Sequence, residues 1–180
     1  MTASFPVIAS ILSPKALAED VLPGFGVGAI ADCKFYSGGF NHTYRVQTAD
    51  GSIYYSRAYR LQWRTLADIR YELDLLSHLQ RKGFPAARPV IYQDGRPFCA
   101  VPAPEGQRYV ALFTEAPGPE VSYDHEPAKI AKRYGQAVAE MHNALDDFST
   151  PHPRFQKDIE HFIKRPLCNI CLLYTSDAAD

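Results

Sequence analysis

Long apolar runs are missing from this sequence. No stretch approaches the ~20 residues that a membrane-spanning helix needs, and the first residues lack a basic region followed by an extended apolar core. That gives no support for membrane insertion or secretion, and a cytoplasmic protein is expected. Net charge is missing too. Nineteen Lys and Arg against twenty Asp and Glu leave −1, which provides no electrostatic footprint for nucleic acid or an anionic membrane as partner. Cysteines are few and irregularly placed, four in 180 residues, so the spacing carries neither a disulfide framework nor a zinc motif. Reduced thiols are expected. No internal repeat or low-complexity segment occurs. What the chain does have is a 46% hydrophobic fraction, enough for a real core in one domain, or in one lobe and part of another.

The chain is organised around residues 37–46, Ser-Gly-Gly-Phe-Asn-His-Thr-Tyr-Arg-Val, and residues 53–60, Ile-Tyr-Tyr-Ser-Arg-Ala-Tyr-Arg. A Gly pair leads into alternating apolar and polar residues, Ala49-Asp50-Gly51 makes a turn, and a second alternating run ends in basic residues. This predicts a β-hairpin whose opening loop can bring its backbone against a ligand. Gly38 and Gly39 suit that role because a side chain would hold the backbone N–H groups away from a phosphate. Two glycines alone fit an ordinary hairpin with a bulge equally well. Arg57, mid-strand, tips the reading toward phosphate, since its cation can reach back to the same loop.

Upstream, Ser13-Pro14 opens a short amphipathic helix that Pro23-Gly24 should stop. Residues 24–28 read as a flexible connector, since they lack the dinucleotide-binding spacing. Downstream, Leu66, Ile69, Leu73, Leu76 and Leu79 fall at helical spacing over 64–80, with Gly83 as a left-handed cap. Short strands are predicted at 90–92 and 98–101, a loop at 102–107, and a strand buried on both faces at 109–114. A helix over 126–145 carries Ile130, Tyr134, Val138 and Met141 on one face. His142 on it is taken as a packing residue rather than a base. A last helix is expected within 151–167.

The glycine turn with Asn41 and Thr43, the Arg57 strand, the Glu72 helix, the strand and break at 109–118 and the Gly135-to-His142 helix together resemble the aminoglycoside phosphotransferase and homoserine kinase-like family, relatives of protein kinases. The resemblance covers about residues 14–165. It implies an α+β fold: a protein-kinase-like N-terminal lobe of five antiparallel strands and a helix, then the truncated start of a helical C-terminal lobe. The expected division is 1–30 as N-terminal helix and connector, 31–112 as nucleotide-binding lobe, 113–118 as hinge and 119–167 as the start of the second lobe.

By the same resemblance, Gly38, Gly39, Asn41 and Thr43 would lie near the phosphates. Glu72 would position Arg57, which stands where relatives of this fold more familiarly have lysine. Phe113, Thr114, Glu115 and Ala116 would surround the adenine. ATP and Mg are the implied cofactors. The family's His-Gly-Asp catalytic loop and later metal-binding Asp have no match in the sequence, so catalytic and metal-binding residues are expected outside this chain. The implied function is transfer of the ATP γ-phosphate to a hydroxyl of a small molecule of the homoserine, choline or aminoglycoside sort. A stress-response Ser/Thr protein kinase of the same fold, or a non-catalytic nucleotide-binding module, are the other readings. Residues 171–180, Cys-Leu-Leu-Tyr-Thr-Ser-Asp-Ala-Ala-Asp, resemble a translated sequencing adapter. Residues 168–180 are therefore expected to be a non-native tail, and the natural gene to continue.

Overall fold

The structure, a computed structural model, describes residues 7, 9–61, 63–119, 126–168 and 170. Period-two alternation becomes three consecutive antiparallel strands, β1 (Ile30–Gly38), β2 (Asn41–Thr48) and β3 (Ile53–Tyr59). Two more, β4 (Cys99–Ala103) and β5 (Gly106–Thr114), complete a sheet of order β1-β2-β3-β5-β4. Thr43 lies opposite Arg57, Arg57 opposite Ala111, and Tyr55 opposite Phe113. Directly opposed residues project to the same face of a sheet, so these form one lateral patch.

That face is covered by α2 (Leu66–Arg81), which follows the short N-terminal helix α1 (Pro14–Ala16) in chain order. Thr65 and Asp68 form a reciprocal capping box at its start, and Gly83 adopts φ 73° just beyond its end. The left-handed turn there is one a side chain resists. Ile69 and Leu73 pack fully buried against Tyr59, Phe98, Ala111 and Phe113. Each such burial is worth ~1.5–3 kcal/mol.

The opposite face carries Tyr44, Val46, Ala58, Val110 and Leu112, and the N-terminal segment covers it with Leu17, Leu22 and Phe25. Here the structure differs from the sequence reading. The chain does not stop at Pro23-Gly24: after α1 it tightens through a π turn, Leu17–Val21, and a 3-10 turn, Leu22–Phe25, ending at Gly26 with φ 65°. Pro23 sits in the first turn of that last segment, where its missing N–H has no partner to lose. The supposed flexible connector is fixed in place. Phe25 meets the Tyr92 ring edge-on at 4.9 Å, and Gly24 O accepts from Gln93 N at 2.8 Å. A Cβ on Gly24 would come within 2.3 Å of the Tyr92 ring, so only glycine allows this approach.

Residues 90–92 form no strand. Arg88 O and Val90 N bond to Thr114 and Leu112 of β5, but only one isolated bridge, Pro89 to Phe113, results. Pro89 has no N–H to propagate a ladder. The loop predicted at 102–107 shrinks to a turn at Pro104-Glu105, because Pro102 lies on β4, an edge strand.

Past β5, α3 (Pro127–Leu145) has no buried residue, and Tyr134 on its apolar face is 71% exposed. It is tied to α2 through His78, whose Nε2 lies 3.0 Å from Ala144 O and 3.2 Å from an Asp147 carboxylate oxygen. His142, expected to pack, is exposed. The final helix is shorter than predicted: residues 151–158 are non-helical, and helical structure begins at 159 after Asp158, whose carboxylate accepts from His161 N at 2.9 Å. Pro151 and Pro153 disfavour helix ahead of it. Among the described residues no helix is long and apolar enough to cross a membrane. The adapter-like residues 171–180 lie outside the described residues.

Candidate nucleotide-binding cleft

A cleft of about 510 Å³ opens between the patch on β2, β3 and β5 and the flank of α2. Alternation along β3 turns Tyr55 and Arg57 toward α2. On α2, Glu72 stands beside the buried stripe of Ile69 and Leu73, so its carboxylate emerges at the helix edge rather than beneath it. Arg57 and Glu72 form an ion pair there. The side chains are 36% and 28% exposed, placing the pair at the cleft wall, where a ligand can still reach the guanidinium. Phe113 holds Arg57 from below, with Cζ 5.1 Å from the ring centroid. Tyr59, behind the pair, is buried, and burial followed by the Glu72 charge pushes its phenol pKa up. It is a neutral wall.

Of the residues singled out from sequence, Thr43, Arg57, Glu72, Phe113, Thr114 and Ala116 line this cleft together. Gly38, Gly39 and Asn41 lie along the turn above it and are not on its wall. Arg60 fastens that turn: its guanidinium donates to Gly39 O at 3.1 Å, and its N–H to Asn41 Oδ1 at 3.4 Å. A Cβ on Gly39 would meet nothing within 4 Å, and neither Gly38 nor Gly39 has positive φ. The fold itself does not require glycine at 39. Glu115 faces an adjacent hollow with Gln80 and Gly83, and its own N–H donates to Ile53 O at 3.3 Å.

Two features were not anticipated. Arg154 reaches the cleft from the stretch after α3, resting on the Tyr71 ring at 5.3 Å; a lone arginine following Pro153 offered no signal. The other is a buried cation. Arg108, 1% exposed, donates to Tyr59 O (3.0 Å), Ala58 O (3.0 Å) and Ser10 O (2.7 Å), and its guanidinium lies 3.3 Å from His42 Nδ1. Glu105, 3.6 Å away, accepts from Ser10 N and Oγ. Burial and the Arg108 charge push the His42 pKa down. The network ties the N-terminal segment to the sheet. An arginine bordering an otherwise apolar strand was the signal for it.

Two of the thiols are unreactive. Burial pushes Cys33 and Cys99 up to about 11, so both stay protonated near neutrality. Among the described residues no group of three or more His, Cys, Asp or Glu is placed to hold a metal ion.

Residues 32–172 match the phosphotransferase enzyme family, APH. The chain belongs to that family. Relatives include an uncharacterized protein of Deinococcus radiodurans, 37% identical over 164 residues, covering 91% of this chain and 46% of its own length. Another, from Synechocystis sp., is 32% identical over 145 residues, covering 81% and 40%. The chain thus spans less than half the length of these curated relatives. Among solved structures, a microcompartment-associated aminopropanol kinase superposes with TM-score 0.68 at 23% identity, over 83% of this chain and 46% of that one. The amicoumacin kinase hAmiN, solved with AMP-PNP, Ca2+ and Ami, gives 0.61 at 22%, over 70% and 38%. These two likenesses establish the fold: a five-stranded antiparallel sheet with helices, as the family resemblance implied.

Proposed function

We propose that the cleft binds ATP and that the whole protein transfers its γ-phosphate to a hydroxyl of a small molecule. The observation that carries this is the Arg57–Glu72 pair on the cleft wall. A guanidinium held by a carboxylate on a neighbouring helix, yet open to the cleft, is poised for the α- and β-phosphates. Glu72 neutralises the cation when no nucleotide is present and fixes its direction. Thr43 adds a hydroxyl on the same row, while Phe113, Thr114 and Ala116 offer an apolar ledge and backbone groups to the adenine. The glycine turn, fastened by Arg60, closes over the phosphates.

The described residues supply no ligand set for Mg, and no step is assigned to a metal. Phosphoryl transfer also needs a group that orients the attacking oxygen, and residues for that role are assigned to the part of the relatives' length that this chain does not span. Small-molecule kinases among the structural neighbours support a small acceptor over a protein one. An ATP-consumption assay tests the reading, run on this chain and on a full-length relative-sized protein, with amino-alcohols, aminoglycosides, hydroxy acids and a generic protein substrate. Acceptor-dependent turnover by the longer protein is expected. Inactivity on every acceptor would favour a non-catalytic nucleotide-binding module.

A further inference from the structure

A larger cavity, about 880 Å³, lies between the tip of the glycine turn, the start of α2 and residues 155–166. Its wall is aromatic and cationic at once. Phe40, at the turn's tip, stacks on Trp63 with centroids 4.7 Å apart and planes at 9°. Arg64 is held between two rings, its Cζ 4.9 Å from the centroids of both Trp63 and Phe155, and its guanidinium donates to Trp63 O at 3.1 Å. Lys157 and Arg165 bring two more positive charges to the same wall.

Asp68 is the single carboxylate that the described residues place there, and it is engaged, accepting from Thr65 N at 3.0 Å and Thr65 Oγ1 at 2.8 Å. Among the described residues none of the three cations has a carboxylate partner. Three unpaired cations around a recess create a positive potential stronger than the same charges would give on an open surface. The arginine is also preorganised: two aromatic faces fix its plane, so less side-chain freedom is lost when an anion binds. The cavity adjoins the cleft, since consecutive residues divide between them: Arg154 lines the cleft, and Phe155, its ring centroid 5.6 Å from Arg154 Cζ, lines the cavity.

We propose that this cavity receives the phosphoryl acceptor, and that the acceptor is anionic: a small hydroxyl compound bearing a carboxylate or phosphate, bound at Arg64. The proposal rests on the nucleotide reading of the neighbouring cleft. Cationic acceptors such as choline or an aminoglycoside fit poorly. Arg64 already occupies a face of both Trp63 and Phe155, and the three positive charges on the wall repel a quaternary ammonium. In the transfer, the acceptor oxygen forms the new bond to the γ-phosphorus, the bond to the β–γ bridging oxygen breaks, ADP leaves, and the hydroxyl proton passes to solvent.

Trp63 is the chain's single tryptophan and reports on the cavity directly. Its fluorescence, titrated with glycerol 3-phosphate, glycerol and choline, should respond saturably to the first alone. Arg64→Ala should weaken that response at least tenfold, Arg64→Lys should restore part of it, and Arg57→Ala should leave it unchanged. Calorimetry with AMP-PNP reads the cleft separately. A saturable response to choline or glycerol, no response to glycerol 3-phosphate, or equal binding by Arg64→Ala would overturn the inference. Loss of the response in Arg57→Ala would overturn it too, placing the anion on the nucleotide's phosphate position. Glycerol 3-phosphate binding without AMP-PNP binding would leave an anion site and refute its role as acceptor site. Should thermal melting show Arg64→Ala unfolded, the exposed pair Lys157→Glu with Arg165→Glu decides by the same tenfold criterion.

Discussion

Arg57 on β3 and Glu72 on α2, fifteen residues apart in sequence, meet as an ion pair at the wall of the cleft. Neither is buried, so the pair contributes little to folding; its value lies in aiming the guanidinium. Glu72→Gln keeps the shape and removes the charge. Nucleotide affinity is expected to fall roughly fivefold, about 1 kcal/mol, with the melting temperature essentially unchanged. Calorimetry with AMP-PNP, paired with thermal unfolding, checks both halves.

The glycine turn gives a second test. A Cβ at position 39 meets nothing in the ligand-free protein, so Gly39→Ala should change stability by less than ~0.5 kcal/mol, as at other open surface positions. If the turn's backbone approaches the phosphates, the same substitution weakens AMP-PNP binding. Unaltered affinity would return the turn to an ordinary hairpin element.

Arg108 tests the other face of the sheet. Removing it leaves the Glu105 carboxylate, the Ser10, Ala58 and Tyr59 carbonyls and His42 without their shared partner. Arg108→Ala is expected to cost ~3–5 kcal/mol, the range for breaking a buried ion pair from one side. Urea unfolding measures it, and the loss should exceed that of Arg57→Ala by several-fold.

His42 makes stability pH-dependent. Its folded pKa lies below its ordinary 6.5, so the unfolded chain takes up the proton first as pH drops. The histidine's stabilising contribution is complete above pH 6.5 and declines as pH falls from there toward the lower folded value. Unfolding curves at pH 7.5 and 5.5 should show this decline, and His42→Gln should flatten it.

Most of the fold was legible because its signals are local. Period-two alternation gave β1 to β3, Leu and Ile spacing gave α2, and an unbroken apolar run gave β5. The misreadings have two causes, long-range packing overriding local punctuation at one place and proline overriding strand or helix composition at others. Pro23-Gly24 signals a stop in isolation, yet burial of Leu22 and Phe25 carries the chain one turn further. Residues 90–92 have strand composition, but Pro89 interrupts the ladder beside β5. In the site, the pairing of Arg57 with Glu72 was recoverable because the order of elements resembles the kinase-like family, which implies it. Arg154 and the Arg64 cavity were not, since each depends on where residues 151–166 return against the sheet and α2, which no local pattern encodes.

The central claim is that Arg57 binds the nucleotide's phosphates. The most direct measurement is calorimetric titration of ATP, ADP and adenosine into the wild-type protein and Arg57→Ala. Binding by the wild type is predicted, with ATP and ADP affinity falling 10- to 100-fold in the variant, the ~1.5–3 kcal/mol of charge-assisted hydrogen bonds, while adenosine binding holds. Equal ATP affinity in both proteins, or no ATP binding by the wild type, would contradict it.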